Sequence, residues 1–488
     1  MTVLSIRQMI ELETRAFASG VDAWELMQEA GRQMACAIRQ RFPQPGFCRV
    51  FAGKGNNAGD AWVVARLLDE AGWKVEVECP FPIGEMSPLA RRAIEGWTGR
   101  KSSAETTPPN RRPPFIVVDG LLGIGAQGEV RPPLREMIHE IARQRAQGAV
   151  VFSLDLPSGL GTETCVVADH TLTVGFAKDV LLADAAAHFV GRISVLPLEE
   201  LSSRVTDESA DELATAATLR SVLPPRSFDI HKGECGRVML VAGSLGTAGA
   251  AVLAAHGALR AGAGLVSLVC PPEIYPTLAP MLPPEVMARP WDQMGETKMD
   301  VLAIGPGLDP KWRDAIWPLI ESAPIGQPLV LDAGALTILA EDISRLEKLP
   351  GPILLTPHPG EMERLFPRQN RTRAQWAADC LSTHGNVTLL LKGSRTLVAQ
   401  RDWPASYNST GHPGMATGGM GDTLTGVCAA LLGQKLSTRD AARVGAWVCG
   451  RAAEIAVEES GQSQESLLPS DLHSTLGRAF SDLRAGVY

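Results

Sequence analysis

Aromatic residues supply only 5% of this 488-residue sequence, and basic residues carry no excess. Lys and Arg number 46 against 54 Asp and Glu. The resulting net charge of −8 argues against a general nucleic-acid binder, which needs a basic face. Nine cysteines lie scattered between Cys36 and Cys449, with no CxxC pair and no Cys/His cluster at zinc spacing. An odd count without a framework reads as buried thiols in a reducing compartment. No run approaches the roughly 18 apolar residues of a membrane helix. The small-residue stretch Ala248–Leu259 is too short and ends at Arg260. The first residues reach Arg7 before the apolar core of a signal peptide can form. These absences predict a cytoplasmic protein with no membrane or nucleic-acid partner.

Glycine and proline are abundant, 48 and 35 residues, which implies many turns and backbone that approaches something closely. At about 150 residues per domain, the length suggests at least two larger domains. Short β-rich runs alternate with amphipathic stretches: Arg49–Ala52, Lys74–Val77, Phe115–Val118 and Ala149–Leu154 are separated by segments such as Trp62–Ala71 and Leu134–Arg145. Such apolar runs divided by helices imply a parallel sheet covered on both faces. Two helical segments, Ser5–Ser19 and Asp22–Phe42, precede the first strand. The apolar face of the second (Leu26, Met27, Ala30, Met34) can pack inside its domain or against a partner, and a homo-oligomer is expected. Leu198–Pro225 turns polar and acidic and reads as a linker or domain boundary. Pro108–Pro114 reads as a surface loop. After Pro225 the alternation restarts with Val238–Ala242, Leu265–Val269, Val301–Ile304, Leu329–Leu331, Ile353–Leu355 and Val387–Leu391. The expectation is an α/β protein with a boundary near 215/216.

In the first half, Gly53–Asp60 (GKGNNAGD) follows a strand and opens a helix. Its glycines let N–H groups turn toward a ligand, and a helix N-terminus favours an anion there. Asn56 and Asn57 add amides suited to a ribose, an amide or a cation. Gly123–Gly128 formally matches GxGxxG. However, Pro132 and Pro133 delay the helix and no acid follows at the right distance, so a phosphate-facing loop is favoured over a dinucleotide fingerprint. Asp119 and Asp155 each end a strand beside a glycine-containing loop, where ligands of open α/β sheets collect. One such Asp is often only a helix cap.

In the second half, Gly411–Gly426, which contains GMATGGMGD, places five glycines before a helix. Backbone N–H groups at the positive end of a helix suit a transferring phosphoryl group. Asp422 can accept the proton of an attacking hydroxyl. Gly243-Ser244, Gly305–Leu308 and Asp332–Ala335 are further strand-end turns. His358 stands between two prolines, and Lys392–Thr396 sets a cation beside glycine.

The segments Gln28–Gly31, GKGNNAGD, Val118–Gly125 (VDGLLGIG) and Leu154–Leu160 (LDLPSGL), in this order, resemble the NAD(P)H-hydrate epimerases over residues 1–215. The resemblance implies a Rossmann-like parallel-sheet sandwich. It places the hydrated nucleotide on Asn56, Asn57, Ala58, Gly59 and Asp60 and on Gly123, Ile124, Gly125, Ala126, Gln127, Gly128 and Glu129, with Asp155 also in contact. It also implies a potassium ion among Asn57, Asp119 and Ser158. The chemistry is inversion at nicotinamide C6, which needs a proton acceptor and donor; Asp119 and Asp155 are the candidates. Ala58 and Ala61 replace residues that are usually glycine.

The motifs HKGxxG, GSxxxxGA, GPGL, TPHPGE, KGSRT and NxTGxPGMATGGMGDxLTG resemble the ADP-dependent NAD(P)H-hydrate dehydratases over residues 216–488. That resemblance implies a ribokinase-like α/β domain, with the hydrated nucleotide on Ala250, Gly307, His358 and Asp422. The adenine nucleotide would lie on Lys392, Gly393, Ser394, Arg395, Thr396 and Gly421. Asp422 would be the base, with Mg2+ accompanying ADP. The implied reaction is epimerisation of NADHX or NADPHX, then phosphorylation of the S hydrate by ADP and loss of phosphate, giving NAD(P)H, AMP and phosphate. The rival reading is a ribokinase-like small-molecule kinase carrying an inactive N-terminal binding module. A nicotinamide dehydrogenase is disfavoured by the broken fingerprint at Gly123.

Overall fold

Helix caps and strand runs that are local in the sequence account for most of the elements. The computed structural model describes residues 1–97, 100–101, 114–205, 210–294, 298–349 and 351–486. The chain divides into two units, Met1–Ala210 and Asp211–Tyr488. Pro108–Pro113 of the expected loop and Thr206–Ser209 of the expected linker lie outside the described residues.

The first unit holds strands β1 (Val3–Leu4), β2 (Phe47–Ala52), β3 (Lys74–Glu78), β4 (Arg100–Lys101), β5 (Phe115–Gly120), β6 (Val150–Leu154), β7 (His170–Val174), β8 (Ala177–Lys178) and β9 (Arg192–Leu196). Among the described residues, seven of them form one parallel sheet in the order β4–β3–β2–β5–β6–β7–β9. β1 and β8 form a separate parallel pair. The helix Ile6–Ala18 starts at a capping box: Gln8 N–H donates to Ser5 Oγ, and Ser5 N–H donates to Gln8 Oε1. Asp22 caps the helix Ala23–Arg41. Apolar clusters cover both faces of the sheet, as its continuous runs require. Leu26, Met27, Ala30 and Met34 are buried inside this unit. Of the two alternatives for this helix face, the structure shows packing inside the domain.

The second unit holds β10 (Glu212–Ala214), β11 (Arg237–Val241), β12 (Leu265–Cys270), β13 (Val286–Pro290), β14 (Val301–Ile304), β15 (Leu329–Leu331), β16 (Ile353–Leu355), β17 (Val387–Leu391), β18 (Leu397–Gln400) and β19 (Ser406–Asn408). Their order is β10–β19–β18–β17–β16–β15–β14–β11–β12–β13. Pairings are parallel except β17–β18 and β18–β19. The acidic stretch read as a linker is only partly one. Glu212 opens an edge strand of this second sheet, because its carboxylate meets the largely buried Arg439 and Arg443 at 3.0 and 2.7 Å. Those partners lie over 220 residues away, so the division between units falls five residues before the expected 215/216. No described helix is long and apolar enough to cross a membrane.

Two helices, Ala248–Arg260 and Met420–Gly433, pack backbone to backbone. A Cβ on Gly426 would overlap the Ala254 carbonyl oxygen, and one on Gly257 the carbonyl of Thr423. Gly426→Ala is accordingly expected to lower stability by about 1–3 kcal/mol, the range for overpacking. Denaturant unfolding of the purified protein reads this, and an unchanged midpoint would contradict the packing argument.

Candidate functional site

In the first unit, Asn57, Asp119, Gly123 and Ser158 meet at the carboxyl ends of β2, β5 and β6, while Gly125, Ala126, Gln127, Gly128 and Glu129 are exposed. Gly53 approaches the Leu121 carbonyl so closely that a Cβ would overlap it, which joins the GKGNNAGD turn to the loop after β5. A Cβ on Gly123 would stand 3.1 Å from the Asn57 Cβ. Ala58 and Ala61 are fully buried, and Ala61 packs against Gly120. These two departures from the family pattern therefore fill the core side of the helix.

Asp119 is fully buried and accepts four hydrogen bonds, from Ser153 Oγ (2.8 Å), Ser158 N (2.9 Å), Ser158 Oγ (2.6 Å) and Leu121 N (3.3 Å). Burial raises its pKa, and these hydrogen bonds oppose the shift. Ser158 Oγ also accepts the Leu122 N–H at 2.9 Å, while Asn57 Nδ2 donates to the Leu122 carbonyl at 2.9 Å. Asn57 Oδ1 is left buried without a hydrogen-bond partner. Asn57, Asp119, Ser158 and Leu122 thus form one nest of oxygens. Among the described residues there is no group of three or more His, Cys, Asp or Glu that could hold a metal ion.

Asp155 stands apart from that nest. Its φ of +65° is unusual for a residue with a side chain. Its Oδ1 accepts Lys178 Nζ at 2.5 Å, Thr173 Oγ1 at 3.2 Å and Val174 N at 3.3 Å. Lys178 is 1% exposed and also donates to Thr173 Oγ1 and the Val174 carbonyl. Two more carboxyls act on this pair. Burial, then Asp155 and Glu13, hold Asp60 well above the ordinary range, with Lys178 opposing. Burial, then Asp155, raises Glu13 to about 7, again against Lys178. Lys178 and Glu13 escaped the sequence reading, since neither sits in a glycine loop.

In the second unit, the loops after β11 and β14 are knitted together. Gly243 N donates to the Pro306 carbonyl (2.8 Å), Asp309 N to Ser244 Oγ (2.8 Å) and Thr247 Oγ1 to the Gly307 carbonyl (2.6 Å). Gly307 has φ +63°, and a Cβ there would stand 2.8 Å from that of Ala250. Asp332, 1% exposed, accepts Lys392 Nζ at 2.8 Å and Thr425 Oγ1 at 2.6 Å. A Cβ on Gly421 would stand 3.2 Å from Lys392 Nζ. Burial pushes the Lys392 ammonium down, but Asp332 and Glu361 leave it above its ordinary pKa. Burial, then Asp332, raises Asp422 to about 6, with Lys392 opposing.

His358 uses its ring locally: Gly360 N donates to its Nδ1 at 3.0 Å. Its backbone N–H donates to Glu361, whose carboxylate also lies 3.9 Å from Lys392 Nζ. This chain of contacts links TPHPGE to the lysine. Gly393 and Ser394 are exposed, whereas Arg395 is buried and lowered by that burial and by Arg373 to about 10. Arg373 holds this loop from behind, donating to the Arg395 and Leu391 carbonyls at 2.9 Å each. Behind the glycine loop, Thr423 Oγ1 meets His473 Nε2 at 3.0 Å, and His473 stacks on His256. An ionised lysine and a nearby base, at a glycine-lined helix start, are what phosphoryl transfer to a hydroxyl requires.

Residues 23–180 match the family described as YjeF-related protein N-terminus, and residues 238–478 match that of NAD(P)H-hydrate dehydratase. The sequence is 36% identical over 495 residues to a bifunctional NAD(P)H-hydrate repair enzyme Nnr from Coxiella burnetii, covering 97% of this chain and 98% of the relative. A relative of the same name from Escherichia coli K12 is 34% identical over 479 residues, covering 94% and 90%. Among solved structures, a ribokinase-like superfamily protein from Enterococcus faecalis V583 superposes with a TM-score of 0.50 at 25% identity. It covers 56% of this chain and 96% of that one.

Proposed function

Because this chain belongs to the family of bifunctional NAD(P)H-hydrate repair enzymes, we propose that its first unit interconverts the R and S hydrates at nicotinamide C6 and its second dehydrates the S hydrate with ADP. The observation that carries the second half is the Lys392–Asp332–Asp422 cluster beside the glycine-rich helix start. Asp422 takes the proton of the C6 hydroxyl as its oxygen attacks the terminal phosphorus of ADP, and AMP departs. N1 then expels the phosphate from C6 as a C5 proton is lost, which restores the dihydronicotinamide. Lys392 faces the transferring charge, and the N–H groups around Gly421 take its outer oxygens. Gly307 and Ala250 give the hydrate its cradle.

In the first unit, the buried position and four hydrogen bonds of Asp119 suit it to shaping the oxygen nest, and the proton transfer falls to Asp155. The nest fits a hard monovalent cation, with Asn57 Oδ1 as an otherwise unsatisfied oxygen ligand. Asn57, Asp119 and Ser158 would hold potassium, which would supply positive charge to a bound anionic nucleotide. Mg2+ would arrive on the ADP phosphates, since it prefers phosphate oxygens and water to a protein cage.

The test uses purified protein with separated hydrate epimers, following the return of reduced-nicotinamide absorbance. The S epimer is expected to recover with ADP and Mg2+, releasing AMP and orthophosphate. The R epimer is expected to recover faster than it epimerises spontaneously, and more slowly when choline replaces potassium. Failure to consume ADP with either epimer would end the dehydratase reading. A phosphorylated product without orthophosphate would make the second unit a kinase.

A further inference from the structure

The helix Ile6–Ala18 carries a carboxyl where its packing face should be apolar. Met9, Leu12 and Ala16 are buried, and Glu13 lies among them at helical spacing, half-buried. Among the described residues, no hydrogen bond or ion pair occupies its carboxyl. The helix is pinned over the strand ends in two ways. Its preceding strand pairs in register with β8, Leu4 beside Lys178. Met9 packs on Gly175, where a Cβ would stand 3.1 Å from its methyl. The same apolar cluster includes Ile124, from the loop expected to hold the nucleotide. Glu13 therefore faces the region shared by Ile124, Asp155 and Lys178.

We propose that Glu13 is a second proton-transfer residue of the epimerisation site, working with Asp155 on opposite ends of the C6–N1 bond. This rests on the reading of the first unit as the epimerase. Asp155, held in place by Lys178, removes the proton of the C6 hydroxyl. The oxygen's electrons form a C6=O double bond, the C6–N1 bond breaks with its pair going to N1, and Glu13 delivers its proton to N1. Rotation about C5–C6 presents the other face of the aldehyde. N1 then attacks it and returns its proton to Glu13, while the new alkoxide recovers its proton from Asp155. Both residues end as they began, with no water, oxidant or reductant consumed.

The electrostatics agree with this division of labour. Asp155 and Lys178 are the charged groups acting on Glu13, which in turn acts on Asp60, while Glu199 and Glu200, on the short helix packed beside it, are exposed. With its pKa near 7, Glu13 keeps a proton available at neutral pH. As a general acid it loses that proton as pH rises, so R-hydrate conversion by the wild type should fall above about pH 7.

The test compares the full-length wild type, Glu13→Gln and Glu13→Asp, each with ADP, Mg2+ and potassium, on separated R and S hydrates. Glu13→Gln is expected to slow R-hydrate conversion about 100-fold or more. S-hydrate dehydration should be unchanged, and the first unit's melting temperature should not fall. Glu13→Asp should retain part of the conversion with its alkaline limb displaced. A folded Glu13→Gln that converts R hydrate at the wild-type rate, or a Glu13→Asp with an undisplaced limb, would overturn the proposal. A wild type that does not accelerate R-hydrate conversion would overturn the epimerase reading, and the proposal with it.

Discussion

Asp422→Asn is expected to lower ADP-dependent dehydration of the S hydrate by about 10²–10⁴-fold, the usual worth of a positioned base. The wild-type rate should climb as pH rises through about 6, because the base must first lose its proton and burial and Asp332 resist that loss. The same substitution should stabilise the fold. A carboxyl whose folded pKa lies above its unfolded value costs stability once pH exceeds the folded pKa, and nothing below the unfolded one. Thermal melting of Asp422→Asn should therefore exceed that of the wild type at pH 8 and converge with it near pH 4. Loss of activity with no gain at pH 8 would contradict the electrostatic picture of the pocket.

Lys178→Met should produce the largest structural effect in the first unit. The lysine is 1% exposed, and its three hydrogen bonds all lie within the Asp155–Thr173–Val174 turn. Removing one partner of a buried ion pair typically costs about 3–5 kcal/mol, because the remaining charge is left without compensation. R-hydrate conversion should disappear as well, since Asp155 loses the buried partner that fixes its carboxylate in place. The double substitution Lys178→Met with Asp155→Asn, an amide that tolerates the positive φ and keeps an acceptor oxygen, separates the two effects. It is expected to recover much of the lost stability and none of the epimerase activity. A single variant that melts with the wild type would refute the argument.

The sheets were readable from the sequence because apolar runs such as Val301–Ile304 and Val387–Leu391 are bounded by turn residues, and they appear in the structure with those limits. The glycine loops were readable for a related reason, since close backbone approach leaves a local compositional trace. What stayed hidden depends on partners remote in the chain. Lys178 sits in an unremarkable Phe-Ala-Lys-Asp stretch, and Glu13 looks like one more acid on an amphipathic helix. Asp332 was visible as a strand-end turn, but its Lys392 and Thr425 contacts span 60 and 93 residues. Asp119 shows the opposite limit: strand-end position suggested contact with substrate, whereas burial and hydrogen bonding turn it inward.

The glycine contacts between Ala248–Arg260 and Met420–Gly433 also constrain how this catalyst can vary. One helix begins at Ala248, beside the proposed hydrate cradle at Ala250, the other carries Asp422, the proposed base, and neither can slide while Gly257 and Gly426 keep their backbones touching. The spacing between bound alcohol and base is thus a property of the scaffold, present before any ligand arrives. Adaptation to a bulkier or smaller alcohol must therefore come through the other wall of the pocket, the turns Gly243–Thr247 and Gly305–Leu308, which hydrogen bonds join to each other. The two helices act as a fixed gauge against which such changes are measured.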